Sequence, residues 1–310
     1  MILTITMNPS IDIAYSLEDF HLDAPNRVRQ VKKTAGGKGL NVTRVLKQLD
    51  EDVFASGLLG GFLGEEIKAS LTQAGIGYDF FPISGETRNC IAILHGGMQT
   101  EILESGPIVA EREAELFLAH FELLLGQAGL VGISGSLADG LPAGFYAEMV
   151  KCAQEKGVKV MLDVSGKPLE AVLWSPAKPF LIKPNLAELG ELIGRSVSAD
   201  TDELKEVLSD GLFEGIPWIV ISLGKDGAFA KIGSDFHQVR IPQITAVNPV
   251  GSGDATVAGL LSGLYHKDSP EDVLKKAMTL GMLNACEPET GSVDLNRYQE
   301  LFEQVTVIQN

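Results

Sequence analysis

Cysteines, aromatic residues and long apolar runs are all scarce in this chain. Its three cysteines, Cys90, Cys152 and Cys286, are an odd number, lie far apart and form no Cys-x-x-Cys pair. That spacing argues against a disulfide framework or a structural zinc site and points to a reducing cytoplasm. No stretch approaches the ~18–20 apolar residues of a membrane span. The opening residues Met1 to Met7 lack the basic flank of a secretory signal and turn polar at Asn8, so they read as a first strand. Positive charge is also short, with 25 basic residues against 41 acidic ones and a net charge of −16. Such a field argues against nucleic acid or an anionic membrane surface as partners.

The remainder is that of an ordinary globular protein. Hydrophobic residues make up 45% of the 310 positions and charged residues 21%, which suits one large α/β unit over residues 1–310. Apolar, β-rich runs alternate with helical patterns, as in parallel strands joined by helical crossovers. The runs Ile2–Thr6, Val53–Gly57, Leu130–Ser134, Val158–Asp163, Phe180–Lys183 and Trp218–Leu223 are the expected strands. Several are continuously apolar, so their sheet is covered on both faces. Helices are expected at Ala114–Leu125, Gly144–Glu155 and Thr201–Ser209, and an antiparallel hairpin returns through Ala228–Ile232. Residues of about 12–34 and 88–104 alternate polar and apolar without helical periodicity, as a small separate sheet would.

One segment breaks the acidic pattern. From Ala24 to Leu49 there is no Asp or Glu, yet Arg27, Arg29, Lys32, Lys33, Lys38, Arg44 and Lys47 all fall there. A solvated basic face is one explanation; a local field that gathers a small anion is the other. The second gains weight because the segment holds the turn Gly36-Gly37-Lys38-Gly39-Leu40-Asn41. After it, Val42, Val45, Leu46 and Leu49 recur along one helix face. A glycine turn opening a helix lets the backbone approach a ligand and offers unpaired N–H groups to anions.

A second such turn is Gly251-Ser252-Gly253-Asp254, followed by Val257, Leu260, Leu261 and Leu264 at the same spacing. The N–H groups of residues 251–254 are expected to form an anion hole for a phosphoryl group. Asp254 in a first helical turn is favoured by the helix dipole alone. Beside an anion hole, however, a carboxylate repels phosphate, whereas a general base accounts for both features. No Gly-x-Gly-x-x-Gly follows the first strand and no Walker-type Gly-x-x-x-x-Gly-Lys-Ser/Thr is present. Dinucleotide and P-loop chemistry are thereby set aside.

Four signatures in order then mark a resemblance over nearly the whole chain: Asn8-Pro9-Ser10-Ile11-Asp12, the Gly36–Asn41 turn, Lys183-Pro184-Asn185-Leu186-Ala187-Glu188, and Asn248-Pro249-Val250-Gly251-Ser252-Gly253-Asp254. The sequence resembles the ribokinase (PfkB) family of carbohydrate kinases. The resemblance implies a three-layer α/β/α sandwich with a mostly parallel central sheet and a small β-sheet lid. It implies ATP and Mg²⁺ as cofactors, Asp254 as catalytic base and Gly251, Ser252 and Gly253 as anion hole. Asp12, Gly37, Lys38 and Asn41 are expected at the sugar, with Arg27, Lys38 and Arg88 around a substrate phosphate and Cys90 lining the pocket. An Asx-turn is the competing explanation of Asp12.

For the nucleotide, the resemblance points to Lys183, Asn185, Ser222, Gly224, Gly227 and Asn284. It points to Asn185 and Glu188 for the metal, through water; taken alone, those two read as a helix cap and a first-turn acid. Within the family the sequence is most similar to tagatose-6-phosphate kinases, with 1-phosphofructokinase as the near alternative and a non-catalytic sugar-phosphate sensor as a remote one. The expected partners are a sugar phosphate, ATP and a second copy met through an exposed lid. Asn248-Pro249 stands where the family pattern has Asp-Thr, which removes a carboxylate from any monovalent-cation site built there.

Overall fold

The structure, a computed structural model, describes residues 1–309. Its strands are β1 (Ile2–Thr6), β2 (Ser10–Leu17), β3 (Val31–Gly36), β4 (Val53–Leu59), β5 (Gly77–Tyr78), β6 (Phe81–Pro82), β7 (Arg88–His95), β8 (Met98–Leu103), β9 (Leu130–Ser134), β10 (Lys159–Asp163), β11 (Leu181–Ile182), β12 (Trp218–Ser222), β13 (Ala228–Ile232), β14 (Asp235–Arg240) and β15 (Thr306–Gln309). Its helices are α1 (Lys38–Gln48), α2 (Gly61–Gln73), α3 (Glu111–Leu125), α4 (Phe145–Glu155), α5 (Gly166–Trp174), α6 (Leu186–Ile193), α7 (Thr201–Leu208), α8 (Ser252–His266), α9 (Pro270–Ala285) and α10 (Tyr298–Gln304).

The large sheet runs β15-β14-β13-β12-β11-β10-β9-β1-β4-β5, with β6 added beside β4. From β12 to β5 every pairing is parallel, while β12 through β15 form an antiparallel edge. The expected hairpin at Ala228–Ile232 is therefore continued by two more strands. Strand β11 is shorter than its apolar run, although Phe180 and Lys183 on either side still donate to the Val160 and Leu162 carbonyls.

Two apolar layers cover the two faces. One packs Phe117 and Phe121 of α3 with Tyr146 and Met149 of α4, Val172 of α5 and Leu204 of α7 against one side. The other packs Val45 of α1, Leu260 and Leu261 of α8, Leu274 and Leu280 of α9 and Leu301 of α10 against the opposite side. All five residues of β1 are buried, the pattern of a strand covered twice.

A separate four-stranded sheet, β3-β2-β7-β8, stands over one end of this core as the lid. β2 pairs with β7 in parallel, and the outer pairs are antiparallel. Residues 18–30 leave the sheet as a loop, because Glu18, Asp19, Asp23 and Pro25 interrupt the alternation. Ile11 and Ile13 pack with Leu40 of α1 and Ile67 and Leu71 of α2, which anchors the lid to the core.

Every parallel strand ends at the same rim, where ligands bind in open α/β sheets because the order of strands reverses there. Helix α1 reaches this rim only by lying close on β1. A Cβ at Gly39 would stand 2.6 Å from the carbonyl oxygen of Ile5 and 2.2 Å from Oγ1 of Thr6. The third glycine of the Gly36–Asn41 turn is thus required by helix-on-strand packing. Gly39→Ala should lower the unfolding free energy by about 1–3 kcal/mol, the usual cost of overpacking. A urea melt matching that of the unsubstituted chain would show that α1 and β1 are not in this contact.

Candidate active site

A cleft of about 770 Å³ opens at this rim between the lid and the core. Its walls come from the lid (Ser10, Asp12, Arg88, Cys90), the start of α1 (Gly37, Lys38, Asn41, Arg44), the strand ends (Asp163, Lys183, Ser222) and the head of α8 (Gly251, Gly253, Asp254). Asn185 and Glu188 of the α6 cap also line it, as do Glu289 and Thr290. Asp163, Lys183 and Ser222 meet here because the neighbouring parallel strands β10, β11 and β12 all end at this rim.

Helix α8 begins at Ser252, with Gly251 before it in the left-handed region at φ 84°. Only glycine adopts that conformation without steric cost, and it turns the chain into the helix. The Ser252 N–H is donated back to the Pro249 carbonyl at 3.2 Å. The N–H groups of Gly251, Gly253 and Asp254 have no partner among the described residues. The anion hole expected from four donors therefore has three, since the turn consumes that of Ser252. The Ser252 hydroxyl is buried without a partner and does not line the cleft. At Gly253 an added Cβ would meet only the Lys183 amine, at 3.8 Å. No packing in the chain explains that glycine, which leaves space between the helix head and the lysine.

Asp254 is buried, 6% exposed, and its Oδ2 accepts a 2.7 Å hydrogen bond from the Asn41 amide. Burial disfavours the ionised carboxylate, and the neighbouring Asp163 adds repulsion. The Asn41 bond and the charges of Lys38 and Lys183 oppose both, so the group is pushed up to about 7. A carboxylate of that basicity is half ionised near neutrality, which suits proton transfer in either direction.

Asp163, the last residue of β10, was not foreseen. Its buried carboxylate meets Lys183 at 3.0 Å and Lys38 at 3.7 Å. This pair of contacts holds two amines beside the α8 head, and the Asp163 charge is the main cause raising the Lys38 pKa. A carboxylate closing the buried apolar run Val-Met-Leu of β10 is the sequence signal that marks it.

On the lid, Asp12 accepts from the Ser10 hydroxyl at 2.6 Å. Burial pushes its carboxyl up, against the pull of that bond and of Arg44 and Arg88. A Cβ at Gly36 would fall 2.1 Å from the Asp12 carboxyl carbon, so that glycine makes room for it. Cys90 sits opposite Asp12 in the β2–β7 register. Burial raises its thiol pKa, so the thiol stays protonated. Arg88 lines the cleft while donating to the carbonyls of Glu104 at 2.8 Å and Asn8 at 3.1 Å.

Other candidates stand apart. Arg27 is exposed in the 18–30 loop and does not line the cleft of its own chain. Gly224 is exposed outside the lining, and Gly227 is buried where a Cβ would strike the Val239 carbonyl at 2.1 Å. Gly227 thus closes the β12–β13 hairpin. Asn284 is fully buried and accepts from the Gly291 N–H at 3.2 Å, bracing the loop behind Gly251. Asn185 and Glu188 cap α6 reciprocally, each side chain accepting the other's backbone N–H at 2.9 Å. Asn248 uses its amide to bridge Val250 N–H and the Pro288 carbonyl, closing the turn ahead of α8.

Among the described residues there is no group of three or more His, Cys, Asp or Glu side chains that could hold a metal, and no helix long and apolar enough to cross a membrane.

Comparison with known proteins agrees with this architecture. A Staphylococcus aureus protein provisionally assigned as a phosphofructokinase is 32% identical, with a TM-score of 0.87 over 100% of this chain and 99% of that one. Phosphofructokinase-2 of Escherichia coli, solved with potassium, is 24% identical with a TM-score of 0.90, covering 97% of this chain and 98% of its own. A Thermotoga maritima protein provisionally assigned as a 1-phosphofructokinase is 26% identical with a TM-score of 0.89, covering 100% and 99%. The family model for pfkB family carbohydrate kinases matches residues 5–296. The chain belongs to the pfkB family of carbohydrate kinases.

Proposed function

We propose that this carbohydrate kinase moves the γ-phosphoryl group of ATP to the 1-hydroxyl of tagatose 6-phosphate, giving the 1,6-bisphosphate. The observation that carries the transfer chemistry is the head of α8. There, three unpaired N–H groups and an open glycine lie beside a buried carboxylate of near-neutral basicity. Asp254 takes the proton as the hydroxyl oxygen bonds to phosphorus, and the bond from phosphorus to the bridging oxygen of ADP breaks in line. The free N–H groups of Gly251 and Gly253 stabilise the phosphoryl oxygens in transit. Lys183, held by Asp163 at 3.0 Å, supplies the adjacent positive charge.

The phosphate already on the sugar calls for cations, and Arg88 lines the cleft from the lid while Lys38 lines it from the start of α1. Arg27 contributes only if its loop folds over the cleft or arrives from another copy. Asp12 and Asn41 accept from and donate to the sugar hydroxyls. For the nucleotide, Ser222 and Asn185 line the opposite wall, Asn284 braces the loop behind Gly251, and Gly224 and Gly227 belong to the turn that follows Ser222. Mg²⁺, when bound, neutralises charge on the phosphates. Asn185 and Glu188 are spent on capping, but Glu188 Oε1 has no partner among the described residues, a donor set that fits contact through water.

A second substrate is favoured by the Thermotoga maritima similarity: fructose 1-phosphate, phosphorylated at its 6-hydroxyl. Fructose 6-phosphate differs from tagatose 6-phosphate by one epimeric hydroxyl. A second copy docking through the lid is supported by Met98, Ile102 and Leu103, apolar and exposed on the unpaired edge strand β8.

Coupled ADP-release kinetics on the three ketose phosphates should give the highest kcat/KM for tagatose 6-phosphate, and a clear preference for fructose 1-phosphate would replace this substrate. Asp254→Asn should lower kcat by about 10²–10⁴-fold, the range for losing a general base, while ATP binding persists. Since the ionised carboxylate is the active form, kcat/KM should fall as pH drops through about 7. Near-normal turnover in Asp254→Asn would place the base elsewhere. Sedimentation should report a dimer that Ile102→Glu dissociates; a monomer at all concentrations would remove the lid interface.

A further inference from the structure

Arg44 of the basic segment lines the cleft and acts on Asp12 through its charge. Its guanidinium is folded inward, where it donates to the Ala35 carbonyl, to Oδ1 of Asn41 at 2.6 Å and to the Thr290 carbonyl at 3.1 Å. Burial disfavours its charge, and the carboxylates of Asp12, Asp254 and Glu289 offset that cost. Asn41 lies one helical turn earlier on the same face of α1 and donates its Nδ2 to Oδ2 of Asp254 at 2.7 Å. Three residues thus form a directed chain, Arg44 to Asn41 to Asp254.

Direction in this chain is set by donor chemistry. A guanidinium has donors only, and an ionised carboxylate accepts only. Between them the Asn41 amide has one satisfactory orientation, carbonyl toward Arg44 and NH2 toward Asp254. The flipped amide would set donor against donor and acceptor against acceptor. With Oδ2 engaged, Oδ1 of Asp254 has no partner among the described residues, and Asp254 lines the cleft.

Resting on the proposed role of Asp254 as base, the geometry points to Arg44 as a positioning residue. Its buried guanidinium locks the Asn41 amide and so fixes which oxygen of Asp254 receives the proton. The surroundings are built for this. A Cβ at Gly291 would stand 3.0 Å from the guanidinium, and Gln48 holds the same loop by donating to the Gly291 carbonyl at 2.8 Å. The charged groups facing Asp254 are Lys38 and Arg44 from α1, Asp163 from β10, and Lys183 after β11. Among them only Arg44 is bonded to the residue that binds the base.

The test is the pH dependence of kcat/KM in full-length Arg44→Met. An unlocked amide no longer steadily donates to Asp254 and a cation is lost, so the carboxylate becomes harder to ionise. The acid limb should move to higher pH and kcat should fall about tenfold or more, the scale of losing a partner that orients a reacting group. In an Asn41→Ala background the same substitution should displace the limb clearly less, because only the loss of the Arg44 charge remains to act on Asp254. An equal displacement in both backgrounds would mean that Arg44 acts by its field alone and would overturn the positioning role. So would an unmoved limb accompanied only by lower thermal stability. If Arg44→Met does not fold, Arg44→Lys carries the test, because it keeps a cation but cannot fork to three carbonyls; an unshifted limb there is likewise contrary. Asp254→Asn in the same assay separates the two ideas. If it is inactive while Arg44 variants keep the original limb, the base stands and only the positioning role fails.

Discussion

The buried carboxylate at the head of α8 is the constraint around which the rest of the active site is arranged. An aspartate there gains from the helix dipole but loses water, and Asp163 repels it further. Burial and repulsion both favour the protonated form. Lys38, Lys183 and the Asn41 amide return it to a basicity where a proton can be both taken and released. The compensating groups come from α1 and from the end of β11, and Asp163 of β10 holds both lysines, so the basicity of one residue depends on α1, β10, β11 and α8 meeting at one rim. Asp163 illustrates the balance. It raises Asp254 directly, yet it also fixes the two lysines that lower it.

The lid obeys a related constraint. Asp12 is a second partly buried carboxylate, and it tolerates its position through Ser10, Arg44 and Arg88. Arg44 therefore sits between the two acids, paired by hydrogen bonds to neither and felt by both. Its bonds to Ala35 at the end of β3 and to Thr290 tie the lid, α1 and the loop after α9 together. Lid and core share one electrostatic network.

Much of this was legible in the sequence because its signals were local. A glycine turn running into an apolar helical period identified the starts of α1 and α8, and strands buried on both faces announced a parallel sheet. What was not legible depended on distant partners. Asp163 closes a strand with no neighbouring motif, and only folding brings Lys38 and Lys183 to it. Within the basic segment, sequence could not say which cations turn inward: Arg27, expected at a phosphate, lies in an exposed loop, whereas Arg44 is folded against Asn41. The Ser252 N–H, expected in the anion hole, instead goes to the Pro249 carbonyl, a turn contact with no sequence signal. Gly227 and Asn284 carry family motifs, but their packing makes them braces behind the wall.

The central claim is that the folded chain holds Asp254 at near-neutral basicity. Titration of the Asp254 side-chain carboxyl by 13C NMR, with the signal assigned through Asp254→Asn, measures this without reference to turnover. The account predicts a midpoint near 7. A midpoint close to 4, the ordinary value for an aspartate in water, would contradict it.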